Sequence, residues 1–271
     1  MNKQRSAEKP KGGIEWTHIL GAGTGYTANP VRGCVHDCRW RMHDGSIIPC
    51  YAKAAKERRD GPGSFEKITF HPEVLDAIRK HPTPAGIFID SMSDLFGQGV
   101  AEEHIHAVIA TIADCPQHVF FSLTKNPSRF LKFHGTWPAN WMVGISYPPT
   151  FMFGKLLTLQ QQRAWFQRGL DLLVNSPAVM RWVSAEPLSL NLSDILEKHA
   201  RKLCWTVIGA ASDGARFHQP DETTLSDTLA VLDDIPVFFK GNLSQSLARK
   251  VGGWRDFFPP VQTQPKQPNL L

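Results

Sequence analysis

From Pro62 onward, short β-branched or aromatic runs alternate with longer helical patterns, and that rhythm limits the folds open to the chain. Strands are expected over 66–71, 86–90, 118–123, 141–146, 180–184, 204–209 and 236–240. Between them, Ile105, Val108, Ile109 and Ile112 recur at the spacing of one helix face, as do Phe166, Leu170, Leu173 and Val174. Such alternation makes parallel βα units. A short strand over 14–17 brings the total to about eight, the number that closes a barrel. The expected class is therefore α/β: a single TIM-type (β/α) barrel, closed or partly open, over 13–258, with a cysteine-rich loop after its first strand. No linker divides it. GAGTG at 21–25 has no clear helix after it and reads as a flexible loop rather than a phosphate cradle. The polar, basic residues 1–12 and the proline- and glutamine-rich residues 259–271 read as disordered tails.

The stretch 29–59 carries three of the five cysteines, Cys34, Cys38 and Cys50, spaced C-x3-C-x11-C. Thiolates are soft ligands that favour iron–sulfur clusters or zinc over hard cations. Three without an obvious fourth suggest a centre with an open coordination position, and nearby arginines would lower thiol pKa. Including His43 gives C-x3-C-x4-H-x6-C, a Cys3His zinc tetrahedron, as the rival. Cys115 and Cys204 stand alone in apolar segments and read as core. Clustered cysteines fit reducing cytosol better than a disulfide scaffold. The absence of an apolar start or of a run near 18 residues points to a cytoplasmic protein without a membrane partner. The net charge of +5 permits an anionic partner such as a nucleotide or nucleic acid.

In a (β/α) barrel the site forms at the C-terminal ends of the strands. Here the apolar runs lead repeatedly into polar groups: Ser91 and Asp94, Lys125, Ser146, Glu186, Asp213 and Arg216, and Lys240. Each could simply cap the next helix or lie in solvent. Together with the cysteine loop they make a polar cavity.

IEWT at 14–17, NPVRGC at 29–34, CYA at 50–52, SMSDLF at 91–96, LTKNP at 123–127, GIS at 144–146, SAEPL at 184–188, VIGA at 207–210 and FFK at 238–240 occur in this order. In these residues the chain resembles a family of phage and prophage proteins related to the radical S-adenosylmethionine (radical SAM) enzymes, over 14–241. The resemblance implies a TIM-type barrel and a [4Fe–4S] cluster on Cys34, Cys38 and Cys50. It implies S-adenosylmethionine on the unique iron, cleaved by one electron from a donor such as flavodoxin or ferredoxin. Hydrogen would then be taken from a substrate, with nucleotides or nucleic acids favoured by phage occurrence and charge. Bacterial host cytoplasm is the expected compartment. Two departures stand out. The usual C-x3-C-x2-C spacing is widened to x11, with Pro49 before Cys50 and Tyr51 after it. The segment following VIGA lacks the family's carboxylate, and Asp213 is the nearest substitute.

On this reading Asp94, Lys125 and Glu186 are the catalytic candidates. Tyr51, Ser91 and Ser146 bind cofactor, and Asp213, Arg216 and Lys240 bind substrate. The alternatives are a non-enzymatic zinc-binding nucleic-acid-binding protein, supported by the basic run 53–59 and by Trp40 and Tyr51 as stacking residues, and a barrel hydrolase with Asp94 and Glu186 as acid and base.

Overall fold

The computed structural model describes residues 1–4, 13–18 and 24–259. Eight strands form one sheet: β1 (Asn2–Lys3), β2 (Gly25–Ala28), β3 (Gly86–Ile89), β4 (Val119–Thr124), β5 (Trp141–Ser146), β6 (Met180–Ala185), β7 (Trp205–Ile208) and β8 (Val237–Phe239). They lie in sequence order, and β2 to β8 run parallel. Most side chains of β3 to β8 are buried. This is why these strands read as continuous apolar runs rather than as alternating patterns.

The sheet curls but does not close, and the expected TIM-type barrel is corrected on this point. One edge is taken by β1, antiparallel to β2. At the other edge the chain at Arg255–Phe257 bonds back onto β8, Phe239 N donating to Arg255 O at 2.8 Å and Phe257 N to Val237 O at 3.1 Å. With both edges occupied, β1 and β8 do not meet. The result is an open, mostly parallel half-barrel with small antiparallel sheets added to it.

Three further expectations change. Residues 14–17 are not a strand: Glu15–Thr17 is a 3₁₀ turn. The first parallel strand is β2, so the cysteine loop follows Ala28. Within 66–71 only Thr69–Phe70 is a strand, paired with Val31–Arg32 outside the main sheet. Of the residues read as tails, Asn2 and Lys3 form β1, while 5–12 and 260–271 lie outside the described residues, as do 21–23 of the glycine-rich stretch.

The helices are α1 (Tyr51–Asp60), α2 (Pro72–Arg79), α3 (Glu102–Ala113), α4 (Leu159–Val174), α5 (Ser193–Glu197), α6 (Glu222–Ala230) and α7 (Gln245–Lys250). The two periodic faces expected from the sequence pack inward: Ile105, Val108 and Ile112 of α3, and Phe166, Leu170 and Leu173 of α4. Thr158 starts α4 with a capping box through Gln161, and Asp221 caps α6. Cys115 belongs to this core. A second cluster joins Trp16, Phe88, Phe121, Trp182 and Trp205. Trp16 meets Trp182 and Trp205 edge-on, at 5.1 and 5.9 Å between ring centroids. The 3₁₀ turn thus carries an indole that plugs the half-barrel.

Candidate functional site

Parallel strands bring their C-terminal ends to one side, and a cavity of about 480 Å³ opens there. All the sequence-predicted site residues except Asp213 and Arg216 line it. The cysteines enter from β2, Ser91 and Asp94 from β3, and Lys125 from β4. Ser146 comes from β5, Glu186 from β6 and Lys240 from β8. Tyr51 stands at the start of α1, and its hydroxyl donates to Ser91 O.

The wide cysteine spacing has a simple geometric cause. Arg39–Arg41 and Ile47–Pro49 pair as an antiparallel hairpin in the register Arg39↔Pro49, Trp40↔Ile48 and Arg41↔Ile47. Cys38 and Cys50 flank its base, Cys50 N donating to Cys38 O at 2.9 Å. Opposed positions of an antiparallel ladder lie ~4.5–5.5 Å apart between Cα atoms, so eleven intervening residues still leave the backbones of the two cysteines side by side. Trp40 and Ile48 pack inward against Cys38 and Met152. His43 lies in the exposed turn at the far end, which removes it from the cysteines and from the Cys3His arrangement.

Backbone contacts hold the loop to its neighbours. Gly33 N donates to Met92 O at 3.2 Å and Cys34 N to Phe65 O at 2.8 Å. Asn29 Oδ1 accepts from Met92 N at 2.8 Å and Ser91 Oγ at 3.1 Å. Asp94 accepts from Phe96 N at 3.1 Å and Lys125 N at 2.7 Å, so both its oxygens orient backbone. Lys125 Nζ reaches Ser146 Oγ at 3.3 Å and lies 5.5 Å from the centre of the Trp40 ring. Opposite, Glu186 accepts from Lys240 Nζ at 2.7 Å and from Trp16 Nε1 at 3.0 Å.

All five cysteines are free thiols. Burial pushes the Cys34 thiol up to about 12, with the Asp94 carboxylate adding to it. Burial also raises Cys38 well above an ordinary thiol, against the pull of Lys125. Among the described residues no group of three or more His, Cys, Asp and Glu side chains is placed to hold a metal ion.

Two cavity residues escaped the sequence reading. His36 is buried between Cys34 and Cys38, and neither ring nitrogen has a hydrogen-bond partner. Its Nδ1 stands 3.5 Å from Asp94 Oδ2, a charge contact without hydrogen-bond alignment. Asp90, also buried, holds Val31 N with Oδ1 at 2.9 Å and leaves Oδ2 unpartnered. The signals were there, a histidine inside C-x3-C and an aspartate ending an apolar run.

Asp213 and Arg216 occupy a small hairpin beside the cavity, built from Ala211–Ser212 and Phe217–His218. Asp213 takes a His218 ring nitrogen at 2.8 Å, and Asp44 of the cysteine hairpin takes the other at 3.0 Å. Carboxylates only accept, so the imidazole satisfies both when doubly protonated. Hydrogen bonds to Asp213 and Asp44 accordingly raise the His218 pKa. Its stabilisation is complete below the unfolded value of about 6.5 and disappears as pH rises through the raised folded value. A proton NMR titration should find His218 above an ordinary histidine. His218→Gln should remove the excess stability of the wild type at mildly acid pH, and an ordinary His218 pKa would disprove the link.

Searches of curated proteins and of solved structures gave no match. A family model matches residues 11–251, nearly the whole described chain. The protein belongs to the family described as "Protein of unknown function (DUF5131)".

Proposed function

We propose that the cavity is the active site of a radical SAM-type enzyme, with Cys34, Cys38 and Cys50 as ligands of a [4Fe–4S] cluster and S-adenosylmethionine beside it. The supporting observation is that three free thiols and the polar ends of five other strands line one cavity. The donor set suits the group in kind, three soft thiols on one cavity wall, and loading would have to draw their sulfurs around a common centre. Buried thiols with raised pKa are poor thiolates until a cationic centre binds and displaces their protons. Lys125, whose charge already acts on Cys38, would offset the charge of a thiolate-bound cluster. When bound, the cofactors would supply one-electron cleavage of a sulfonium and hydrogen abstraction from substrate.

The chain's own residues orient and shield. Trp16, Phe88 and Leu123 give the cavity an apolar floor that excludes water. The Glu186–Lys240 pair offers a carboxylate and an ammonium to a zwitterionic ligand. Asp94 sets Lys125 through its backbone amide, a positioning role that leaves little support for Asp94 as a hydrolytic acid or base. An electron donor such as a flavodoxin or ferredoxin belongs to the same reading.

Anaerobic reconstitution is expected to give about four irons and four sulfides per chain. Cys34→Ala, Cys38→Ala and Cys50→Ala should each lose them, while His43→Ala, Cys115→Ala and Cys204→Ala retain them. Stoichiometric zinc without sulfide in protein kept free of oxygen would overturn the proposal in favour of a zinc protein.

A further inference from the structure

Beside the main cavity lies a second hollow of about 190 Å³. The two share Asn2, Asn29, Phe65 and Met92 as wall residues, so they adjoin at the cysteine loop. The rest of the small hollow is lined by Arg32, Gly33, Lys56 and Arg59, with no acidic residue. The cations come from two directions, Arg32 from the strand before Gly33 and the other two from α1.

Their charge is only partly matched. Lys56 and Arg59 share one carboxylate, Asp60, which is outside the lining. Arg32 is exposed and has no ion pair among the described residues, acting on Glu73 only through the longer-range field. The Arg59 side chain is 72% exposed. Exposed ion pairs contribute little, so exchanging Asp60 for a ligand oxyanion has a small cost. Two guanidinium forks and an ammonium suit an anion with several oxygens and more than one negative charge. One water occupies about 30 Å³ of liquid, so the hollow has room for a phosphate group and several waters.

We propose that this hollow binds the phosphate of a nucleotide unit, as monoester or diester, while the sugar and base reach into the adjoining cavity. The inference rests on the main cavity being the substrate site, but not on which metal it holds.

Binding can be measured by calorimetry on the full-length protein, both free of iron and reconstituted. The probes are nucleoside 5′-monophosphates, the matching nucleosides, inorganic phosphate and a short single-stranded oligonucleotide. At least one monophosphate or the oligonucleotide should bind about tenfold or more tightly than the matching nucleoside, as expected for charge-assisted hydrogen bonds. The monophosphate and oligonucleotide arms separate a monoester from a diester. Arg32→Gln combined with Arg59→Gln should remove the preference without altering iron content. Equal affinity for nucleotide and nucleoside, an undiminished preference in the double variant, or no binding of any phosphate-bearing probe would each overturn the inference. A phosphate preference in protein that cannot form a cluster would instead sink the cluster reading alone.

Discussion

Gly33→Ala is expected to destabilise the protein by about 3 kcal/mol or more, through the cysteine loop. Gly33 has φ of +91°, where a side chain costs about 1–2 kcal/mol. A Cβ there would also stand 2.3 Å from Lys67 O and 2.9 Å from Phe65 O. Both are backbone atoms, so neither can swing aside as a side-chain tip would. Moving Phe65 O breaks its bond from Cys34 N, and shifting Gly33 instead breaks the bond from Gly33 N to Met92 O, each worth about 1 kcal/mol. Gly45 provides the control: its φ is +82°, but nothing lies within 4 Å of a Cβ. Gly45→Ala should therefore show the conformational penalty alone. Urea unfolding with an unchanged slope would report the difference. Equal midpoint shifts in the two variants would refute the account of the loop. On the cluster proposal, reconstituted iron content should also fall in Gly33→Ala and remain in Gly45→Ala.

The second large effect is expected from Lys240→Met. Lys240 faces Glu186 at 2.7 Å, with side-chain exposures of 23% and 14%. Glu15 is also near, buried, with Oε2 unpartnered and its pKa raised by that burial despite Lys240. Removing the cation leaves two neighbouring carboxylates in a partly dry wall. Breaking a buried pair costs about 3–5 kcal/mol, and residual solvent here reduces this to roughly 2–3 kcal/mol at neutral pH. A carboxylate whose folded pKa exceeds its unfolded value favours the fold at low pH and loses that contribution as pH rises through the folded pKa. The deficit of Lys240→Met should therefore be larger at about pH 8 than at about pH 5, where the unfolded carboxylates remain near their pKa of about 4.3. A deficit independent of pH would show that lost packing, not charge, is responsible.

The strands β3 to β8 were legible because burial on both faces makes each a short apolar run. β2 was not, since Gly25–Ala28 reads GYTA and becomes a strand by pairing with β3. Trp16 looked like part of a strand because nothing local distinguishes an apolar strand residue from an indole projecting off a 3₁₀ turn. Barrel closure depends on which segments reach the sheet edges, and neither β1 nor Arg255–Phe257 carries a local pattern for that. The cysteine hairpin could have been found, because Asp44-Gly45 lies between its two arms and that dipeptide is a hairpin signal. At the site, parallel topology was enough to gather the strand-end residues. It was not enough for Asp213 and Arg216, whose segment turns back as a separate hairpin and bonds to the cysteine hairpin instead.

The sequential strand order also has a consequence for how the chain matures during synthesis. Each parallel strand pairs with the one made just before it, so the sheet can grow at one edge as the polypeptide leaves the ribosome. Trp16 is made early, yet its partners Trp182 and Trp205 and its acceptor Glu186 come more than 160 residues later. Until those strands emerge, the aromatic rings of Phe88 and Phe121 are in place for the indole but the two tryptophans are not. The N-terminal turn is therefore not fully seated until the strand of Trp205 has been made, although it is among the first pieces to be translated.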